Sequence, residues 1–319
     1  VQRILQPGEI ESLDHTAFPR VLLPDTRSLF LDRANRLRQL AQNNHPIADY
    51  LNFVAVLAQA QHQAVQNLAV STPDATAVEQ AQRHALPLMS AADHLDPVWQ
   101  QVLDAMLATL AGDGGLPAAL QPLVAELQTA SGDERNAIAK RLLTREAAAR
   151  DVGLAPLVMA ALQVVFTRRA SLVNDKDVPY TDPATICPVC GSEPVASVIR
   201  IGGKAAEHRY LHCACCATEW HMVRVKCSHC ESTQGIHYQG LTQTDDNTAQ
   251  AKDQVVLAET CDQCGTYRKL VNQEKDPHAE PLADDLASLM LDLLMSDTEF
   301  QRASSNPLLY VAVAQPQEA

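Results

Sequence analysis

From Leu29 to the polar stretch that opens at Asn174, apolar side chains recur every three or four positions, the period that gathers them on one side of an α-helix. Leu29 to Leu40 has this spacing and follows Pro24-Asp25, a helix start. Tyr50, Phe53, Val54, Leu57, Gln61, Val65 and Leu68 line one face of a second helix, inside an uncharged run from Tyr50 to Pro73. Asp96-Pro97 places a capping residue before a proline at the first helical position, and Trp99, Val102, Leu103, Met106 and Leu110 continue the period until Gly112 to Gly115. Ser131 and Glu134 have capping-box spacing ahead of a helix over Asn136 to Arg150. Leu154 to Phe166 is apolar nearly all round, which predicts a buried helix. Core packing accounts for each of these stripes.

The polar stretch, Asn174 to Pro183, interrupts the helical pattern, and from Ile186 the period changes. Val195 to Ile201 is β-branched, Gly202-Gly203 makes a turn, and His208 to His212 returns as a second strand. Trp220 to Val225 predicts a further short strand, and Gly235 to Leu241 with Gln254 to Ala258 a hairpin around the polar loop Thr242 to Asp253. After Asn272 the chain turns helical: Leu282, Leu286, Leu289, Met290, Leu293 and Leu294 make one face, stopped by Asn306-Pro307. The pattern predicts an α+β chain. Its expected units are a helical domain over 1–180, two β modules over 181–226 and 227–275, and a C-terminal helix and tail over 276–319.

Composition narrows the function classes. Hydrophobic residues are 46% of the chain but aromatics only 4%, so the core is aliphatic and suits packed helices. The net charge of −13 disfavours phosphate backbones and anionic membranes. The uncharged run from Tyr50 to Pro73 is long enough to span a bilayer, but Asn52, Gln59, Gln61, His62, Gln63, Gln66 and Asn67 exclude membrane insertion. The opening VQRILQPGEIESLDH lacks the apolar run of an export signal, so a cytoplasmic location is expected.

All nine cysteines lie between Cys187 and Cys264. Eight form C-x-x-C pairs: Cys187/Cys190, Cys213/Cys216, Cys227/Cys230 and Cys261/Cys264. A C-x-x-C turn aims two sulfurs at one side of a metal, and a second pair completes a tetrahedron. One such pair is weak evidence; four crowded into this one region are strong. In a reducing compartment they point to metal-bound thiolates rather than disulfides.

The interval from Cys190 to Cys213 and the interval from Cys230 to Cys261 each hold two candidate strands and a turn. The shorter interval from Cys216 to Cys227, with one strand and no turn, suits a connector. One ion is therefore assigned to Cys187, Cys190, Cys213 and Cys216, and another to Cys227, Cys230, Cys261 and Cys264. A cross-braced pairing, first with third and second with fourth, stays open. Cys215 is left over, and its turn should direct it away from the metal. His212, His221, His229 and His237 lie nearby, none needed for four-coordination. Tetrathiolates suit zinc or iron: Cys187-Pro-Val-Cys-Gly191 looks like a rubredoxin knuckle, but zinc ribbons use the same turn. From Thr181 to Lys275 eleven acidic residues face nine basic ones, and the thiolates add to the deficit, which argues against a nucleic-acid partner. The basic pairs Arg224/Lys226 and Arg268-Lys269 are expected to be solvated, or to meet sulfur or a protein partner.

The strings ICPVCGSEPVASVI, RYLHCACCATEWHMVRVKCSHC and ETCDQCGTYRKLV, followed by a leucine-rich helix, resemble the FdhE family of formate dehydrogenase accessory proteins. The likeness is specific from Ile186 to Val271; the helical half matches mainly in character, including Pro46 to Phe53. The resemblance implies a cytoplasmic, non-catalytic assembly factor. It would act on the catalytic subunit of a respiratory, molybdenum- or tungsten-dependent formate dehydrogenase before export by the twin-arginine pathway. It also implies rubredoxin-like or zinc-ribbon modules whose cysteine pairs are associated with iron. The expected cofactors are thus two metal ions, iron first and zinc as the alternative, on the same eight cysteines. Self-association is left open. The competing reading is a rubredoxin-like electron-transfer or thiol-redox protein.

Overall fold

The computed structural model describes residues 18–93, 95–112, 116–241 and 254–309. Its first helix, α1 (Leu29–Leu40), matches the expected span, but its inner face carries two arginines beside Phe30, Ala34 and Leu37. Arg33 pairs with Glu280 at 2.9 Å, and Arg36 with Asp284 at 2.6 Å and Asp276 at 2.7 Å. A charge stripe thus fastens α1 to the segment Asp276 to Asp284, late in the chain.

Helix α2 (Ala48–Val65) is buried on more than the one face expected, because its alanines let α1 and two later helices close in. It stops at Val65, well before Pro73; beyond it, Arg168 and Arg169 donate to the carbonyls of Leu68 and Ser71, satisfying backbone that forms no helix. Helix α3 (Ala75–His84) was not legible because only Ala81 is buried. Asp74 caps it, its carboxylate accepting from Ala77 N at 2.8 Å. Asp96 likewise accepts from Val98 N, and α4 (Val98–Gly112) buries all five predicted core positions plus Leu107. Residues 113–115 lie outside the described residues.

A short unforeseen helix, α5 (Gln121–Thr129), precedes α6 (Gly132–Leu143). The capping box is present, with Ser131 and Glu134 bonded reciprocally. Helix α6 ends short of the predicted Arg150: Arg145 takes a φ of +63°, and Arg141 turns to Asp151, the first residue of α7 (Asp151–Ala170). Helix α7 is the buried axle of this half, packed by α2, α4, α5 and α6. Among the described residues it is the one helix long and apolar enough to cross a membrane, and those neighbours occupy its surface.

The strands form one mixed sheet. Its members are β1 (Val21–Leu22), β2 (Pro194–Ile199), β3 (Arg209–Cys213), β4 (Glu219–His221), β5 (Ile236–Gln239), β6 (Val256–Cys261), β7 (Thr266–Asn272) and β8 (Gln301–Arg302), in the order β1-β4-β3-β2-β7-β6-β5, with β8 on β7. The four strands of the two cysteine hairpins fall where expected, within a few residues. Thr242 to Asp253 lies outside the described residues. Strand β7 was not expected, yet it joins the modules: Ser197, Val198 and Ile199 of β2 pair in parallel with Leu270, Val271 and Asn272. Strand β1, from the helical half, pairs with β4.

The single C-terminal helix predicted from its leucine face is in fact two, α8 (Pro281–Ala287) and α9 (Leu289–Ser296). Buried Lys269 and the Ser288 hydroxyl both donate into the carbonyls at the break. The Lys269 ammonium takes the carbonyls of Asp285 and Ser288, which a continuous helix would need for itself. Leu282 and Leu286 stay buried, whereas Met290, Leu293 and Leu294 face outward.

Candidate metal centres

Each C-x-x-C pair forms the same small turn. The residue after its second cysteine is left-handed in all four: Gly191 (φ +76°), Ala217 (+55°), Glu231 (+62°) and Gly265 (+63°). The first cysteine of each turn pairs through its backbone with the residue five positions on: Cys187 N donates to Ser192 O at 2.9 Å, Cys213 N to Thr218 O at 3.0 Å and Cys227 N to Ser232 O at 2.7 Å, and Cys261 is matched with Thr266. This closes the loop and leaves amides facing sulfur. Cys215 N and Cys216 N approach Cys213 Sγ at 3.4 Å; His229 N and Cys230 N approach Cys227 Sγ at 3.4 and 3.5 Å. Such donors favour thiolates. Two residues beyond Cys216 and Cys264, the Thr218 hydroxyl accepts from Cys216 Sγ at 3.2 Å and the Thr266 hydroxyl lies 3.1 Å from Cys264 Sγ.

The hairpins then bring the turns together in pairs. Cys187, Cys190, Cys213 and Cys216 form one quartet and Cys227, Cys230, Cys261 and Cys264 another, each with all sulfurs within 4.8 Å of one another. The sulfurs are sequential, not cross-braced. Facing sulfurs are 3.3 Å (Cys190–Cys213) and 3.5 Å (Cys187–Cys216) apart in the first quartet, and 3.7 Å (Cys230–Cys261) and 3.8 Å (Cys227–Cys264) in the second. A tetrahedral ion with bonds of about 2.3 Å to sulfur sets such distances at about 3.8 Å. All nine cysteines are free of disulfides.

The donor set fits a soft or borderline cation. Burial pushes the Cys187 and Cys213 thiols well above their ordinary range, and Cys227 up to about 12. Four thiolates this close need a positive ion among them, and metal binding is then coupled to their deprotonation. Two tetra-cysteine groups are thus present that could hold two metal ions.

Their surroundings differ. The first quartet is buried at all four cysteines and belongs to the main hydrophobic cluster, which runs from Val21 through the helices to Leu308. The segment after α3 clamps its first turn: Leu88 N, Met89 N and Ala91 N donate to the carbonyls of Pro188, Val189 and Cys190 at 3.0, 2.8 and 3.0 Å. Gln163 of α7 donates to Ala214 O at 2.8 Å, holding the second turn. In the second quartet Cys230 is exposed and Cys264 half-buried. Among the described residues its cysteines belong to neither the main hydrophobic cluster nor the small one of Ala258, Tyr267, Leu291 and Met295.

Charged side chains that the sequence hid tie the modules together. Arg268 and Lys269, expected to be solvated or to meet sulfur or a protein partner, are both buried against this chain's own side chains and carbonyls. Arg268 reaches Ser228 Oγ at 2.9 Å inside the third turn and also Pro194 O of β2 and Ser304 Oγ. Lys269 meets Asp292 at 2.6 Å. Arg209 of β3 pairs with Glu259 of β6 at 2.6 Å, fully buried. Strand β7 is buried on both faces, with Arg268 and Lys269 on opposite sides among Tyr267, Leu270 and Val271, so it shows no apolar alternation and escaped the pattern.

Of the histidines, His212 is buried with Nδ1 2.7 Å from Glu219. Burial opposes charge on Glu219, but Arg200 and His212 outweigh it and hold the carboxyl at about 2. His237 pairs at the surface with Asp262 and His229 is exposed. Cys215 is buried beside the first quartet without belonging to it.

Three family profiles match this chain in succession: "FdhE, N-terminal" over residues 18–182, "FdhE, central domain" over 186–224 and "FdhE, C-terminal domain" over 225–309. The chain is 38% identical over 315 residues to the FdhE homologue of Cronobacter sakazakii, covering 97% of each. It is 38% identical over 307 residues to protein FdhE of Escherichia coli, covering 95% of each. The crystal structure of the FdhE protein from Pseudomonas aeruginosa superposes with a TM-score of 0.79 at 36% identity, over 91% of this chain and 99% of that one.

Proposed function

Since this chain belongs to the FdhE family, we propose that it is a non-catalytic assembly factor for formate dehydrogenase. In this reading it works in the cytoplasm and holds the catalytic subunit of a respiratory enzyme before export. The observation that carries the reading is the pair of cysteine quartets on one shared sheet, backed by a large helical body. The eight cysteines 187, 190, 213, 216, 227, 230, 261 and 264 are the proposed ligands, with iron ahead of zinc. Bound there, a cation neutralises the thiolates and cross-links the hairpins, and iron would add a one-electron couple.

The division of labour follows from packing. The helices supply breadth, the buried ion pairs between α1 and α8 keep the two ends of the chain together, and the quartets fix the hairpins. Anaerobic co-purification with a formate dehydrogenase catalytic subunit, with metal analysis of the same sample, tests the reading. Recovery of the subunit with two ions per chain is expected, and its absence from the eluate would count against the assembly role.

The exposure of Cys230 favours electron transfer as the second reading, because a thiolate at the surface shortens the path to a redox partner. An anaerobic titration separates the two. A reversible one-electron step supports a carrier, whereas a redox-inert centre removes that role.

A further inference from the structure

The two quartets share one turn geometry but not one environment, and the difference begins in the sequence. In the first, the residues between the cysteines are Pro188-Val189 and Ala214-Cys215; in the second, Ser228-His229 and Asp262-Gln263. Pro188, Val189 and Cys215 are buried, whereas His229 and Asp262 are exposed. The first quartet lies inside the main core, with three backbone hydrogen bonds from residues 88–91 across one turn. The second contributes no cysteine to either hydrophobic cluster.

An ion leaves a tetrathiolate site when one thiolate detaches and a competing ligand takes its place. At the second quartet a ligand from solvent can reach Cys230, and Cys264 is half open beside it. At the first, every sulfur is covered, and detaching one opens the core that joins α2, α7 and the sheet. Detachment there carries the cost of local unfolding. Water and chelators are therefore excluded until the fold itself gives way.

We propose that the second centre is an exchangeable metal site, filled and emptied on a chain that stays folded, while the first is a permanent structural site. This rests on the reading of both quartets as metal centres, and it gives them different duties. The first makes the scaffold. The second takes up or gives up its ion in response to supply, with Cys230 as the sulfur that detaches first.

The test uses the full chain loaded with zinc and challenged with excess EDTA under anaerobic conditions. Ion release, iodoacetamide labelling of each cysteine by mass spectrometry, and far-ultraviolet circular dichroism are followed together. One ion per chain should leave at least tenfold faster than the other. Labelling should appear first at Cys230, then at Cys227, Cys261 and Cys264, with the helical signal unchanged. Cys230→Ser should retain one ion, wild-type helicity and only the slow phase. Release of both ions at one rate, early labelling of Cys187 or Cys213, or loss of helicity with the first ion would overturn the proposal while leaving two metal centres in place. A chain that binds no zinc would remove the metal-centre reading itself, and the proposal with it.

Discussion

The two cysteine quartets are near copies in local geometry and opposites in setting. Both use turns closed by a left-handed residue, amides aimed at sulfur, and a threonine two residues past the last cysteine. One is packed within the core that the helices build from a distant part of the chain; the other buries Cys227 and Cys261 but leaves Cys230 in solvent. The comparison teaches that a ligand motif fixes what can bind, whereas packing fixes what binding is for. At the first site a bound ion and the core would reinforce each other. At the second, two of the four cysteines lie outside the buried interior, so a bound ion would be tied less closely to the core.

The largest effect that would sharpen this contrast is expected from Cys213→Ser. It removes an ion whose binding is coupled to the core, and structural tetrathiolate sites are worth about 10 kcal/mol or more. The variant should fail to fold or lose its cooperative thermal transition. Cys261→Ser should instead lose one ion and local order while keeping a cooperative transition for the helical half. Equal damage from the two substitutions would erase the distinction.

A smaller effect calibrates the helical half independently of either ion. Arg141 bonds both oxygens of buried Asp151, at 2.7 and 2.8 Å, and holds its carboxyl below the usual range. Because this pKa is depressed, the stabilisation is fully present above the unfolded value near 4 and is lost as pH falls through the folded value. Asp151→Asn should cost about 2 kcal/mol at pH 7, and the gap from wild type should close in acid. Denaturant melts across pH measure it. A gap that stays constant down to acid would show that the carboxylate charge is not the source.

A third comparison uses glycine at equivalent positions. Gly191 and Gly265 both have positive φ, so alanine costs about 1–2 kcal/mol at either. At Gly191 the added methyl lies 3.2 Å from Pro87 Cγ, whereas at Gly265 nothing lies within 4 Å. Gly191→Ala should therefore be the more destabilising in chemical denaturation, and the reverse order would deny the clamp on the first turn. The smallest effect is expected from Cys215→Ala, which should retain both ions in metal analysis. Loss of an ion would make Cys215 a ligand.

Much of this arrangement could be read in advance, for identifiable reasons. The four C-x-x-C pairs and their spacing are covalent facts, and the hairpins that unite them announce themselves by β-branched runs and glycine turns. The Ser131–Glu134 box and the stripe on α4 are local, so the chain shows them openly. What stayed hidden depends on partners far away. Arg33 and Arg36 look like solvent-facing residues until Glu280 and Asp284 arrive from the far end of the chain. Strand β7 buries Arg268 on one face, where Ser228 and Pro194 O await it, and Lys269 on the other, where Asp292 does. The break between α8 and α9 falls where the same lysine donates to the carbonyls of Asp285 and Ser288. The fates of the two centres were half legible, in the apolar and polar residues between their cysteines, but the burial that gives those residues meaning belongs to the folded chain.

The central claim is that eight sulfurs hold two ions in separate four-sulfur shells. Sulfur-coordination analysis by X-ray absorption, on anaerobically purified chain with its metal content counted, tests this most directly. Two ions per chain are expected, each with four sulfurs at about 2.3 Å and no nitrogen or oxygen in the shell. A single ion per chain, a mixed shell, or sulfurs joined as disulfides would contradict it.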